Sequence, residues 1–169
     1  MTGTPIRHAM KLAPAVMLLL AVSAAPARAQ VQHATANLNI TANIVGACSV
    51  TTVALAFGNY DPLSGLAVDN TGAVNVTCTQ GVSATIGLNT GSNASGSTRR
   101  MTDGVGHYLN YELYSDTGHS TIWNAVNLVA TGAAPSGSAR AFTVYGRIPA
   151  SQDAPVAAYS DTAVATINY

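Results

Sequence analysis

The sequence predicts an all-β fold: an incomplete antiparallel β-sandwich of immunoglobulin-like topology that lacks its last strand. Three observations carry this. Apolar residues alternate at period two through most of the chain, and no stretch sustains a helical period. Clusters of Gly, Asn, Asp and Pro separate the alternating runs. The final run reaches Tyr169 with no turn after it, whereas a seven-strand sandwich needs one more strand. A barrel ranks second among the folds this pattern allows.

Residues 1–29 read as a signal peptide rather than as part of the fold. Arg7 and Lys11 form a positive start, residues 12–22 are apolar apart from Pro14, and Ala27-Arg28-Ala29 is a small-residue cleavage site. The apolar stretch is about half the roughly twenty residues that span a bilayer. Residues 30–46 follow as an extension. In it Ala34, Ala36, Leu38, Ile40, Ala42 and Ile44 occupy every second position, with Asn37, Asn39, Thr41 and Asn43 between them. That is a strand with one apolar stripe and one polar face.

Residues 47–169 form the expected sandwich domain. Val74, Val76 and Cys78 share one face of a strand. Ala84, Ile86 and Leu88 share a face of the next, and Leu109, Tyr111 and Leu113 a face of a third. Phe142, Val144 and Ile148 lie on one side of a fourth, and Ala163, Ala165, Ile167 and Tyr169 on one side of the last. Loops are expected at residues 58–62, 69–72, 79–81, 89–97, 116–118, 133–137 and 151–158, from their Gly, Pro, Asn, Asp and Ser content.

A sandwich missing an edge strand exposes its core and invites pairing. The amphipathic extension is a strand able to fill that gap in another copy by β-strand addition, or to fold back as the chain's own seventh strand. Burial of Leu38, Ile40 and Ile44 contributes roughly 1.5–3 kcal/mol each. Backbone hydrogen bonds add about 1 kcal/mol apiece, against an association cost of roughly 4–15 kcal/mol. The balance favours pairing when the groove is already formed.

Composition narrows the function classes. Charged residues are 8% of the chain, against about 25% in soluble domains. Loss of Arg7, Lys11 and Arg28 with the signal leaves four arginines against seven acids, a net −3 with no lysine. There is no basic footprint for nucleic acid. Cys48 and Cys78, an even count in an exported chain, predict one disulfide. A loop of about thirty residues closed in this way is worth roughly 3.5–4 kcal/mol in the chain-entropy model.

No catalytic, cofactor or metal site is expected. His33, His107 and His119 lack ligand spacing, and no Gly-x-Ser-x-Gly elbow, phosphate loop or dinucleotide fingerprint occurs. Arg99 and Arg100 read as a solvated pair and Glu112 as a residue of a solvated face. Tyr108, Tyr111, Tyr114 and Trp123 read chiefly as core and cross-strand partners. A sugar-binding face is the second reading of these aromatics, and hydrolysis through His107 or His119 a third.

Ordered landmarks carry a family resemblance. They are Cys48, Phe57-Gly58-Asn59-Tyr60-Asp61, Val76-Thr77-Cys78-Thr79-Gln80-Gly81, Arg100-Met101, Leu109-Asn110-Tyr111-Glu112-Leu113-Tyr114, Trp123, Val144-Tyr145-Gly146-Arg147-Ile148-Pro149 and Tyr159-Ser160-Asp161-Thr162. With them, nearly all of residues 30–169 resembles the spore coat protein U domain family, which includes pilin subunits of the archaic chaperone–usher pathway. One departure is Ala157-Ala158, where the family often places Gly.

The resemblance implies a fold completed by donor-strand complementation and a non-enzymatic subunit of a secreted surface fibre supporting adhesion or biofilm formation. It implies a periplasmic chaperone, an outer-membrane usher, and other copies of itself or related pilins as partners. The Cys48–Cys78 disulfide would join the first and second strands of the domain, and the single domain favours a shaft subunit over a tip adhesin. Ala36, Leu38, Ile40, Ala42 and Ile44 are the expected donor strand, and Phe142, Val144, Ala165 and Ile167 the expected acceptor groove. The alternative is a self-contained secreted β-sandwich, either a spore-coat-like structural protein or a carbohydrate-binding module.

Overall fold

The computed structural model describes residues 28–135 and 137–169. The expected signal peptide, apart from residues 28 and 29, lies outside the described residues. The chain divides into two units, Met1–Thr41 and Ala42–Tyr169. In the first, described residues 28–41 belong to no strand, and Leu38 and Ile40 are 84% and 86% exposed.

In the second unit the described residues form eight strands and no helix. These are β1 (Cys48–Val53), β2 (Val68–Cys78), β3 (Ser83–Leu88), β4 (Arg99–Thr102), β5 (Tyr108–Tyr114), β6 (Val129–Ala133), β7 (Arg140–Ile148) and β8 (Ala165–Asn168). They build a five-stranded sheet in the order β1-β2-β7-β5-β4 and a three-stranded sheet in the order β6-β3-β8. Every pairing is antiparallel. This is an all-β sandwich of the expected immunoglobulin-like class. The period-two faces fall where the sequence puts them: Val74, Val76 and Cys78, then Ala84, Ile86 and Leu88, then Leu109, Tyr111 and Leu113 are all buried.

Cys48 lies directly across from Cys78 at the end of the β1–β2 pair, and a disulfide joins them. It pins the first strand to the longest one, and with it the point where the extension enters the domain.

A buried arginine ties the two sheets. Arg99, at the start of β4, is 1% exposed and ion-paired with Glu112 of β5. Its Nε donates to the Asn89 carbonyl (3.1 Å), and its Nη2 donates to the carbonyls of Asn89 (2.8 Å), Trp123 (2.8 Å) and Leu88 (3.3 Å). Trp123 is itself buried and donates its indole N–H to Ile86 of β3 at 2.9 Å. The expectation of a solvated Arg99–Arg100 pair and a solvated Glu112 is therefore corrected. The end of β3 presents carbonyls that its short sheet cannot pair, and a guanidinium with five donors answers several at once. Arg100 behaves differently: it stacks on the Tyr108 ring 3.9 Å from its centroid.

Removing one partner of a buried pair leaves an uncompensated charge and orphaned carbonyls. Arg99→Ala is expected to lower the unfolding free energy by about 3–5 kcal/mol, read from denaturant titration of Trp123 fluorescence.

Candidate strand-acceptor groove

The two sheets differ in width. Strands sit about 4.8 Å apart, so three strands cannot cover five, and roughly 10 Å of the larger sheet's inner face lacks a facing strand. A cavity of about 980 Å³ lies there. Its floor is Val74 of β2, Leu109, Tyr111 and Leu113 of β5, and Val144 and Ile148 of β7. Two segments without strand structure form its lips: residues 54–60, which follow β1, and residues 154–163, which precede β8.

The first lip crosses the inner face of the larger sheet, and it can lie this close because β7 carries glycine at position 146. A Cβ there would stand 2.6 Å from Leu55 Cδ1 and 2.9 Å from Phe57 Cζ. Phe57 meets the Tyr111 ring edge-on at 6.2 Å. Polar tethers fix both ends of the lip. Asn70 Nδ2 donates to the Ala56 carbonyl at 2.5 Å, and the Tyr60 hydroxyl donates to the Pro149 carbonyl at 3.0 Å. That hydroxyl also accepts the Gln152 N–H at 2.8 Å.

The second lip hangs on Asp161. Its Oδ1 accepts the backbone N–H groups of Ser92 (3.0 Å) and Asn93 (3.1 Å), and its Oδ2 accepts the Tyr111 hydroxyl at 2.8 Å. Burial first, and then the Asp161 carboxylate, push the Tyr111 phenol above its ordinary range, so it stays protonated and keeps donating. Asn89 Oδ1 holds the Val164 N–H at 2.7 Å. Among the groove-lining residues Asp161 is the single carboxylate, and it is fully engaged. The site therefore presents apolar side chains and backbone groups, the surface a strand with an apolar stripe would match.

The lips lie next to open strand edges. Among the described residues, β1 pairs with β2 alone and β8 with β3 alone. The far side of β4 is engaged at its last residue, where Thr102 and Ser160 exchange two backbone hydrogen bonds of 2.9 and 3.0 Å.

Of the residues expected to line an acceptor groove, Val144 and Ala165 line this cavity. Phe142 and Ile167 are half-buried against the core and lie outside its lining. Phe142 faces Val74 nearer the disulfide end of the sheet, and Ile167 lies beside Ile86. Ala36, Leu38, Ile40, Ala42 and Ile44, the residues expected to form a donor strand, are all exposed and in no strand. The β5 face and the two lips were absent from the expected groove. The alternation of Leu109, Tyr111 and Leu113 marked them as core, but their place under the gap follows from how many strands each sheet holds.

Other candidate chemistry takes structural places. His107 Nδ1 sits 2.5 Å from Asp103 Oδ2 in the β4–β5 turn, and His119 packs edge-on against Tyr114 and Tyr145. No group of three or more metal-ligating side chains occurs among the described residues. Tyr111 and Trp123 are buried, which removes two of the four aromatics from any exposed sugar-binding face.

Gly91 holds the second lip in register. Its φ is +90°, and a Cβ would fall 1.9 Å from Asp161 Oδ2. Gly91→Ala is expected to displace Asp161 from Tyr111 and lower Tm by several degrees, with faster hydrogen exchange at Ser92 and Asn93 than in the parent.

Comparisons with known proteins agree with this architecture. The Spore Coat Protein U domain model matches residues 34–166, so the match takes in most of the apolar-alternating extension. Protein U of Myxococcus xanthus is 38% identical over 178 residues, covering 96% of this chain and 99% of that protein. The fold is similar to a chain in the crystal structure of the CsuC–CsuE chaperone–tip adhesion subunit pre-assembly complex, from archaic chaperone–usher Csu pili of Acinetobacter baumannii. That match has a TM-score of 0.58 at 15% identity, covering 75% of this chain and 40% of the other. By the family match and the Protein U identity, the chain belongs to the Spore Coat Protein U domain family.

Proposed function

We propose that this chain is a structural subunit of a secreted surface fibre, assembled through a chaperone–usher pathway by donor-strand exchange. The observation that carries the proposal is a matched pair within one chain. An apolar groove with open strand edges beside it stands unfilled, and an exposed segment alternates apolar and polar residues at strand period. Leu38, Ile40 and Ile44, with Ala36 and Ala42 between and before them, are the donor stripe. Val144 and Ala165, with the β5 face, are the receiving surface, and Phe142 and Ile167 support it from beside the cavity.

The energetics give the partners their roles. Three buried aliphatic side chains contribute roughly 1.5–3 kcal/mol each, and the added ladder bonds about 1 kcal/mol apiece. Association costs roughly 4–15 kcal/mol, so exchange is driven when the groove is kept open and ordered beforehand. A periplasmic chaperone lending a strand does this, and an outer-membrane usher then exchanges that strand for the extension of the next subunit. Residues 1–29 direct export to the periplasm, where the Cys48–Cys78 disulfide forms. Other copies or related subunits are the polymer partners, and the fibre serves adhesion or biofilm formation at the cell surface. The similarity to a chain from the Csu pilus complex supports this reading at the level of fold.

A charge in the donor stripe tests the proposal. Ile40→Lys would bring an ammonium into the apolar groove floored by β2, β5 and β7, at a cost of several kcal/mol. On gels without heating, the parent chain should give a ladder of high-mass species that heating dissolves. The variant should lose the ladder while its folded domain stays intact by near-ultraviolet dichroism. An unchanged ladder would exclude the extension as the donor.

A further inference from the structure

Two open sheets present four outer edges. The β4 edge is engaged at its last residue by Ser160, and the β1 and β8 edges adjoin the groove. The fourth belongs to β6, which among the described residues pairs with β3 alone. Its sequence, Val-Ala-Thr-Gly-Ala, carries no charge and small side chains, and Ala130, Gly132 and Ala133 are exposed. Such an edge is a template for another strand.

Two features blunt it. The register shifts opposite Ala84 and Thr85, which leaves Thr131 without a partner in the ladder, and Gly132 takes a φ of +65°. The Thr131 hydroxyl then accepts the Ala84 N–H at 3.0 Å. The second feature comes from the other sheet. Arg140, the first residue of β7, reaches β6 and donates Nη1 to the Thr131 carbonyl at 2.6 Å and Nη2 to the Gly132 carbonyl at 3.4 Å. Its guanidinium carbon lies 5.8 Å from the centre of the Phe142 ring, which backs it. A permanent cation thus occupies carbonyls of the bulged strand, in a chain whose exported part has no lysine to guard its edges.

We propose that Arg140 is the guard of the β6 edge and so confines strand addition to the groove lipped by residues 54–60 and 154–163. The inference rests on the fibre reading and sharpens it. A subunit open at a second edge would also pair side by side through an isologous β6–β6 contact. Fibres would then grow in width as well as length.

The test compares the full-length chain with Arg140→Ala, reading mass per unit length of purified fibres by scanning transmission electron microscopy. Loss of the guard should raise it about twofold, as two files pair through one isologous contact. Adding Ala133→Lys to the same chain should return the parent value, because a charge on the edge itself replaces the guard. A mere structural tether would not be rescued in this way. Where Arg140→Ala folds poorly, Arg140→Gln removes the charge while keeping a donor for Thr131, and the same increase is expected. An unchanged mass per length in the folded variant, or an increase that Ala133→Lys leaves in place, would overturn the proposal. If the parent forms no fibre, the fibre reading fails by itself. Light scattering of the soluble chains then decides the role of Arg140, with dimers of the variant expected beside monomers of the parent and equal masses overturning it.

Discussion

Unequal sheet width is the constraint on which the rest of this structure depends. Five strands face three, and an apolar sheet face left without cover cannot simply be hydrated at no cost. The inner residues of β5 and β7 are as hydrophobic as any sandwich core, yet a cavity of about 980 Å³ remains above them. The narrower sheet thus leaves part of the wider sheet's apolar face without a facing strand.

What keeps the gap from collapsing is polar. Asp161 fastens one lip to Tyr111 and to the backbone of Ser92 and Asn93, and Tyr60 fastens the other to Pro149 and Gln152. Arg99 bridges the β4–β5 edge to carbonyls at the end of β3 and at Trp123, which sets the spacing between the sheets. These bonds leave the outer edges of β1 and β8 without ladder partners among the described residues. A groove ordered in advance lowers the entropic cost of filling it.

Much of this was legible in the residues, and the exceptions have physical causes. Period-two alternation locates β3, β5, β7, β8 and the 74–78 half of β2, because each buries one face; residues 69–72, whose Asp, Asn and Gly read as a loop, instead continue β2 against β7. β1 is marked only by the family resemblance, as the strand beginning near Cys48, and β4 and β6 carry no such signal. β1 buries little, β4 is four residues holding two arginines, and β6 is built of small residues around a bulge. Arg99, a charged residue beside a Gly/Ser-rich loop, looks solvated in sequence because the carbonyls it answers are brought to it only by the fold. The lining of the cavity divides in the same way. Val144 and Ala165 follow from alternation and from the missing strand, whereas Leu109, Tyr111 and Leu113 become groove residues through sheet order, which no local pattern encodes. Low charge, first a bar to nucleic-acid partners, turns out to leave the strand edges open apart from the points that Arg140 and Ser160 engage.

The central claim is that the groove of one copy receives residues 34–44 of another. Fibres grown from a mixture of two differently isotope-labelled copies, one visible at the Ile40 methyls and the other at the Tyr111 ring, test it directly by solid-state magnetic resonance. The account predicts contacts between Ile40 of one copy and Tyr111 of a different copy. Contacts confined to Ile40 and Tyr111 of the same chain would show a sandwich that completes itself, and would contradict it.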